Sequence, residues 1–355
     1  MAPHQENMSA DNMMDRCIAQ ELSNNKTVKA LDQVFGKDVY NVEDVKARRA
    51  VVDTYKEQLA TLIALPRIEQ RTPIWYETRQ GLITASDFAQ ALGEGKFGTA
   101  KELLVKKCGY EEEAAFNATC PPLKWGTMFE PVAGSIYSQR NTTELIEFGL
   151  LKHPTIQYFG ASPDGVTEQG VMVEIKCPYK RKIDGTVPLQ YFYQIQGQLD
   201  VCGLNECDFF ECEFEEYETF EKLEVYEREM PDVVRYERGV ILEYPNLKYT
   251  YSPVVGRRSK DWIETLRSWA SAEEPGHIKT HIYALVKTNT VRVYRDVDFL
   301  NEKLDLLKEV WDKIKEYRAD KTLYLKEIGE KVVKPPSNTS RNSTFGGFKL
   351  NGYAF

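Results

Sequence analysis

The run VMVEIKC, residues 171–177, sets a glutamate and a lysine two positions apart in an otherwise apolar stretch. Side chains alternate across a strand, so Glu174 and Lys176 share one face while Val173, Ile175 and Cys177 share the other. Asp164 starts the preceding hairpin arm. The ten positions from it to Glu174 allow a short arm, a turn through Thr167 to Gly170, and a return. The two carboxylates then meet near one point, where they repel unless one is protonated or a divalent cation lies between them. Lys176 beside them suits holding or deprotonating an attacking water, or neutralising charge on a phosphorane. An amphipathic hairpin with a solvated charged face is the alternative that these residues alone leave open.

The surrounding pattern predicts an α/β (α+β) core. TELIEFGLL, IQYFGA and VMVEIKC are β-rich runs separated by turn residues, so an antiparallel sheet is expected there. After the turn-rich KIDGTVP come the helix LQYFYQIQGQLDVCG and the strand CDFFECEF, which extends the prediction to a mixed sheet flanked by helices. Upstream, residues 1–25 are polar and expected to fray. From Asn41 a helix is predicted, capped by Asn41, with Asp44 in its first turn, apolar Val45, Val52, Tyr55, Leu59, Leu62 and Ile63, and Pro66 as its stop. In GLITASDFAQALG, Ser86 is expected to cap a short helix ended by Gly93. Thr99 and Glu102 form a capping box for ELLVKKC, which Gly109 closes. A further helix with Phe129, Val132 and Ile136 is expected to begin near Gly126, so that Pro131 falls in its first turn.

Downstream, GVILEY, KYTYSPV and VRVYRD are predicted strands, and DWIETLRSWA and the run from Phe299 to Ile314 predicted helices. The tail from Lys334 is rich in Ser, Asn and Gly and expected to be flexible.

At 355 residues with 42% apolar and 28% charged side chains, the chain suits a packed globular protein. No apolar run reaches the ~18 residues of a membrane span, and Met1 to Lys26 has no signal-peptide core, so an intracellular location is expected. A net charge of −8 and pI near 5.4 exclude coating nucleic acid through overall positive potential, but not a local basic channel. The seven scattered cysteines lack any CxxC pair, which points to reduced, buried thiols rather than disulfides or a zinc ribbon.

Further residues give the Asp164, Glu174 and Lys176 set its context. RQGLITAS holds Arg79 and Ser86, WGTMFE holds Glu130, SPDG holds Ser162 and Asp164, EIKCP is followed by Lys180, Arg181 and Lys182, and YFYQIQ holds Gln194 and Gln196. This ordered set resembles the lambda exonuclease and YqaJ-like viral recombinase family of the PD-(D/E)xK nuclease superfamily. The resemblance covers about Thr72 to Phe214 and resumes from Val291 to about Tyr317. It implies a restriction-endonuclease-like core over residues 66–214 and 288–325, with residues 1–65 a helical appendage, 215–287 an insertion and 326–355 a flexible tail.

Carried over by position, the resemblance implies that Asp164, Glu174 and the Ile175 carbonyl hold Mg²⁺, with Mn²⁺ able to substitute, and that Glu130 supports the same or a second ion. Lys176 would position the nucleophilic water, and Gln194 would orient it or Lys176. Arg79, Ser86 and Ser162 would grip a terminal 5′-phosphate. Lys180, Arg181 and Lys182 would face DNA. The implied activity is a hydrolase, a 5′-to-3′ deoxyribonuclease acting on double-stranded DNA ends in recombination or repair. A homo-oligomer and a single-strand annealing protein are the implied partners. The alternatives are a structure-specific endonuclease with the same site and a non-catalytic DNA-end-binding scaffold. Separately, Gln194 and Gln196 could simply face solvent, and Trp75 and Trp125 read as core aromatics before base platforms.

Overall fold

A computed structural model of the chain describes residues 9–96, 98–108, 120–229, 237–256 and 259–328. Gly109 and the tail from Lys334 lie outside these residues.

Three helices, α1 (Ala10–Ala19), α2 (Asn24–Phe35) and α3 (Val42–Ile63), pack on one another through Met13, Met14, Leu31, Val45 and Val52. Asn41 caps α3 as predicted, and together with Asp44 it forms a capping box. The expectation that residues 1–25 fray is corrected by α1, capped by the Ser9 hydroxyl 3.1 Å from the Asn12 amide and carrying buried Asn12, Asp15 and Cys17. Its buried face mixes apolar Met13, Met14, Cys17 and Ile18, which recur at helical spacing, with polar Asn12 and Asp15. Asp15 accepts from Arg48 of α3 at 2.7 and 2.8 Å and from Arg292 at 3.3 Å. Arg48 and Arg292 also bind Glu206, and Arg292 donates to Asp208 at 2.6 Å. Two guanidiniums and three carboxylates thus join the N-terminal helices to the strands behind them.

Burial alone would raise the Glu206 carboxyl, but Arg48 and Arg292 outweigh it and hold the group below its ordinary value of 4.5. A depressed acid stabilises the fold above its unfolded pKa and loses that contribution as pH falls through the folded value. Urea midpoints are therefore expected to drop below about pH 4.5, and Glu206→Gln to show a shallower acid slope than wild type. An unchanged slope would remove Glu206 from the acid response.

Beyond α4 (Pro73–Gln80), α5 (Phe88–Ala91) and α6 (Ala100–Lys107), two longer helices frame the centre: α7 (Pro121–Asn141) and α8 (Leu189–Cys202). The strands are β1 (Ile83–Thr84), β2 (Leu145–Ile146), β3 (Leu151–Lys152), β4 (Phe159–Ala161), β5 (Gly165–Thr167), β6 (Met172–Lys176), β7 (Glu206–Tyr217), β8 (Glu237–Tyr244), β9 (Lys248–Tyr251), β10 (Val255–Gly256) and β11 (Lys279–Tyr294). The large sheet runs β10-β8-β11-β7-β6-β5-β2, with β9 beside β8, and a small sheet runs β1-β4-β3. Within the large sheet β6 and β7 are parallel, joined by α8, and the other pairs are antiparallel, giving the mixed sheet flanked by helices that the sequence predicts. The 16-residue β11 runs through position 287, pairing with β8 by its first half and with β7 along most of its length.

Helix α7 differs from expectation. It begins at Pro121 rather than near Gly126, because Pro121 and Pro122 occupy the first turn, where amide donors are not needed. Pro131 consequently sits in the helix interior, where it cannot donate to the carbonyl of Thr127.

Alternation in β6 then does what its sequence requires. Val173, Ile175 and Cys177 pack with Met128, Phe129 and Val132 of α7, while Glu174 points to α8. The β5–β6 turn closes through Gly170, whose φ of +79° suits glycine and whose absent side chain admits the Tyr55 carbonyl of α3. All seven cysteines are free and buried. Among the described residues, no helix is long and apolar enough to cross a membrane.

Candidate active site

The pairing of Gly165 with Val173 puts Asp164 directly across from Glu174 at the open end of the hairpin. Asp164 Oδ2 accepts from the Ile175 amide at 2.7 Å, which fixes the carboxylate against β6. Glu174 is fully buried and serves three donors: Lys176 Nζ and Gln194 Nε2 (2.6 Å) at Oε1, and Gln198 Nε2 (2.8 Å) at Oε2. Residues four apart share a helix face, so Gln194 and Gln198 of α8 both reach Glu174. Gln196, two positions on, faces away and is buried, donating to the Tyr294 carbonyl at 2.9 Å and accepting from the Asp296 amide at 2.8 Å. It does not face solvent. Gln198 is the residue that motif spacing missed; the four-residue helical repeat from Gln194 was the signal for it.

Two grooves meet above this hairpin. One, about 450 Å³, is lined by Arg79, Ser86, Ser162, Asp164 and Gln194. The other, about 400 Å³, is lined by Glu130, Ile175, Lys176, Lys180 and Arg181. Ser86, Thr127 and Gln194 border both, which makes them one continuous cleft. Glu174 lies beneath its floor. Of the predicted residues, Lys182 alone is exposed away from both grooves.

In the first groove, the Arg79 guanidinium stacks 4.4 Å from the centroid of Trp75 and reaches the Ser86 hydroxyl at 3.5 Å. Trp75 Nε1 in turn donates to Ser162 Oγ at 3.2 Å, so all three predicted phosphate-binding residues are linked. Ser86 is not the helix cap. Thr84 and Asp87 form the capping box, and Ser86, inside the short turn Ala85–Asp87, keeps an exposed hydroxyl. In the second groove, Arg181 is tied to the buried Glu211, which leaves Lys180 as the exposed base of the cluster that borders the cleft. Glu130 is held by Arg71 at 3.2 and 3.3 Å, a partner the sequence did not suggest.

The electrostatics follow from this crowding. Burial first, then the nearby Glu174 and Glu130 charges, push the Asp164 carboxyl well above the ordinary range. Burial likewise raises Glu130 despite Arg71 and Lys176. Burial works against the Lys176 ammonium, but Glu174 and Asp164 outweigh it and hold that group charged. Carboxylates that raise one another show an excess of negative charge, the condition that a cation relieves.

The donors suit a hard divalent ion: two carboxylates and the Ile175 carbonyl, all oxygen. Among the described residues, no three His, Cys, Asp or Glu side chains cluster in a ligating arrangement.

Residues 74–205 match the family model of the YqaJ-like viral recombinase domain. Among curated proteins, an uncharacterized protein of Acanthamoeba polyphaga mimivirus is 26% identical over 84% of this chain and 61% of its own length. A protein of African swine fever virus (isolate Tick/Malawi/Lil 20-1/1983) is 29% identical over 37% of this chain and 46% of its own length. The chain thus spans about three fifths and just under half of the relatives it matches. Among solved structures, an alkaline exonuclease from Laribacter hongkongensis aligns over 74% of this chain and 100% of its own, at 20% identity and a TM-score of 0.44.

Proposed function

We propose, for a chain whose residues 74–205 form a YqaJ-like viral recombinase domain, that the protein is a Mg²⁺-dependent DNA exonuclease. It resects one strand of linear duplex DNA from the 5′ end to mononucleotides and leaves a 3′ overhang for recombination or repair. The observation that supports this reading most is the junction of Asp164, Glu174 and Lys176 on paired strands beneath one cleft, with Gln194 and Gln198 bracing Glu174.

Asp164, Glu174 and the Ile175 carbonyl would hold Mg²⁺, with Mn²⁺ able to substitute. The ion supplies charge neutralisation at the scissile phosphate and a water of lowered pKa. Lys176 sets an ammonium at the cleft floor, where it donates to a phosphate oxygen and orients the attacking water. Gln194 and Gln198 fix the Glu174 carboxylate so that it need not reorganise during the reaction. Arg79, Ser86 and Ser162 would take the terminal 5′-phosphate by charge-assisted hydrogen bonds, setting the register of the strand end. A homo-oligomer around the DNA and a single-strand annealing partner for the overhang belong to the same proposal.

End-labelled linear duplexes test it. Mononucleotides are expected from the 5′ end in Mg²⁺, faster with a 5′-phosphate than with a 5′-hydroxyl, with covalently closed circles untouched. Cleavage of closed or flapped substrates would make the site an endonuclease. Binding of ends without cleavage in Mg²⁺ or Mn²⁺ would make the protein a scaffold.

A further inference from the structure

The second groove has a wall that the phosphate chemistry does not use. Directly after Lys176 the chain turns through Pro178 to Tyr179, 43% exposed, and the first turn of α7 lines the same groove with Pro122 and Leu123, the latter 37% exposed. Trp125 lies behind Tyr179 with ring centroids 5.5 Å apart and itself packs on Phe129 at 4.4 Å, so the tyrosine is a backed platform rather than a loose surface side chain. The Lys180 ammonium lies 5.4 Å from the Tyr179 centroid, on a long exposed side chain that a planar ligand can displace.

We infer that this wall is a nucleobase subsite, in which Tyr179 stacks on a base of the strand whose phosphate lies at Lys176. The inference rests on the nucleic-acid reading of the cleft. Three observations choose this occupant over an apolar peptide. The groove is continuous with the Glu130, Ile175 and Lys176 floor, so a nucleotide held there by its phosphate carries its base along the wall. Its rim is basic, with Lys176 and Lys180, which suits a chain with one negative charge per nucleotide and gives an apolar peptide nothing to pair with. Its apolar side offers the exposed Tyr179 ring, a π-face that every base can use, so the subsite holds the strand without selecting sequence. A displaced Lys180 is then free to meet the neighbouring phosphate.

The test uses the full chain with Ca²⁺ in place of Mg²⁺. A duplex carries 2-aminopurine at one of its three terminal 5′ positions in turn, and a remote dye reports total binding by anisotropy. Wild type is expected to quench 2-aminopurine at one position, Tyr179→Phe to quench it equally, and Tyr179→Ala to leave it bright. Affinity of Tyr179→Ala is expected to fall about 5- to 160-fold, the scale of one aromatic stack. An abasic nucleotide at the quenched position should weaken wild-type binding by a similar factor and leave Tyr179→Ala unaffected. That wild-type comparison stands even where the variant folds poorly. Equal losses by Tyr179→Ala on base-containing and abasic strands, or unchanged quenching, would overturn the subsite while leaving the nuclease reading intact. Absence of any anisotropy change with any protein would overturn the nucleic-acid reading and the subsite with it.

Discussion

Glu174→Gln is expected to lower the rate of Mg²⁺-dependent digestion of linear duplex DNA by about 10²- to 10³-fold, the scale for loss of one group that stabilises transition-state charge. The substitution keeps the size of the side chain and removes its charge. It also turns an acceptor oxygen into an amide NH₂ facing donors, since Lys176, Gln194 and Gln198 all point their hydrogens at this carboxylate. Two companions separate chemistry from packing. Gln198→Ala, which takes away one hydrogen bond to Glu174, is expected to cost about 10- to 100-fold, the usual scale for a group that orients a ligand. Gln196→Ala breaks bonds to Tyr294 and Asp296, away from the cleft, and should act on stability before activity. Rates of single-turnover digestion, with urea midpoints measured on the same preparations, decide it. Near-wild-type digestion by Glu174→Gln would refute the site assignment.

Arg292→Ala is expected to destabilise the fold by about 3–5 kcal/mol, the scale for removing one partner of a buried ion pair. Its side chain is 5% exposed and bonds to Asp15, Glu206 and Asp208, which are 10%, 4% and 0% exposed. Arg48 still pairs with Asp15 and Glu206 after the change, but Asp208 keeps only the Tyr137 hydroxyl (2.6 Å) and the Asn12 amide. Asp208 is then a buried carboxylate without a cation. Urea unfolding at pH 7 measures the loss, and a cost below about 1 kcal/mol would mean that the network relaxes or admits water. Because Arg292 lies outside both grooves, residual folded protein should keep its rate per molecule.

Local signals with a short physical range were legible in the sequence. Strand alternation placed Glu174 opposite Ile175, and the capping chemistry of Asn41 and Asp44 opened the third helix where the structure begins it. What escaped depended on partners distant in the chain. Residues 10–19 carry Met13, Met14, Cys17 and Ile18 at helical spacing, but the burial of Asn12 and Asp15 among them depends on Asp208 and Arg292. Glu130 could be assigned to the site by type and position, but its pairing with Arg71 depends on a fold that brings the two together across 59 positions. Ser86 has the chemistry of a cap, and Thr84 took that role because its carboxylate partner Asp87 stands at the third position. Gln198 was hidden differently. A motif counted by sequence spacing favours Gln196, whereas the helical repeat sends Gln196 to the opposite side from Gln194.

Hydrolysis consumes one water for every bond it breaks, so a cleft that ejects solvent as it grips a polyanion must still keep a supply. Pro131 bears on this supply. Because it lacks an amide hydrogen, the carbonyl of Thr127 has lost its ordinary donor one turn on, and Thr127 stands where the two grooves join. An orphaned carbonyl at a solvent-facing seam is satisfied by water. Under the proposed function, that carbonyl offers a water an acceptor where the two grooves join.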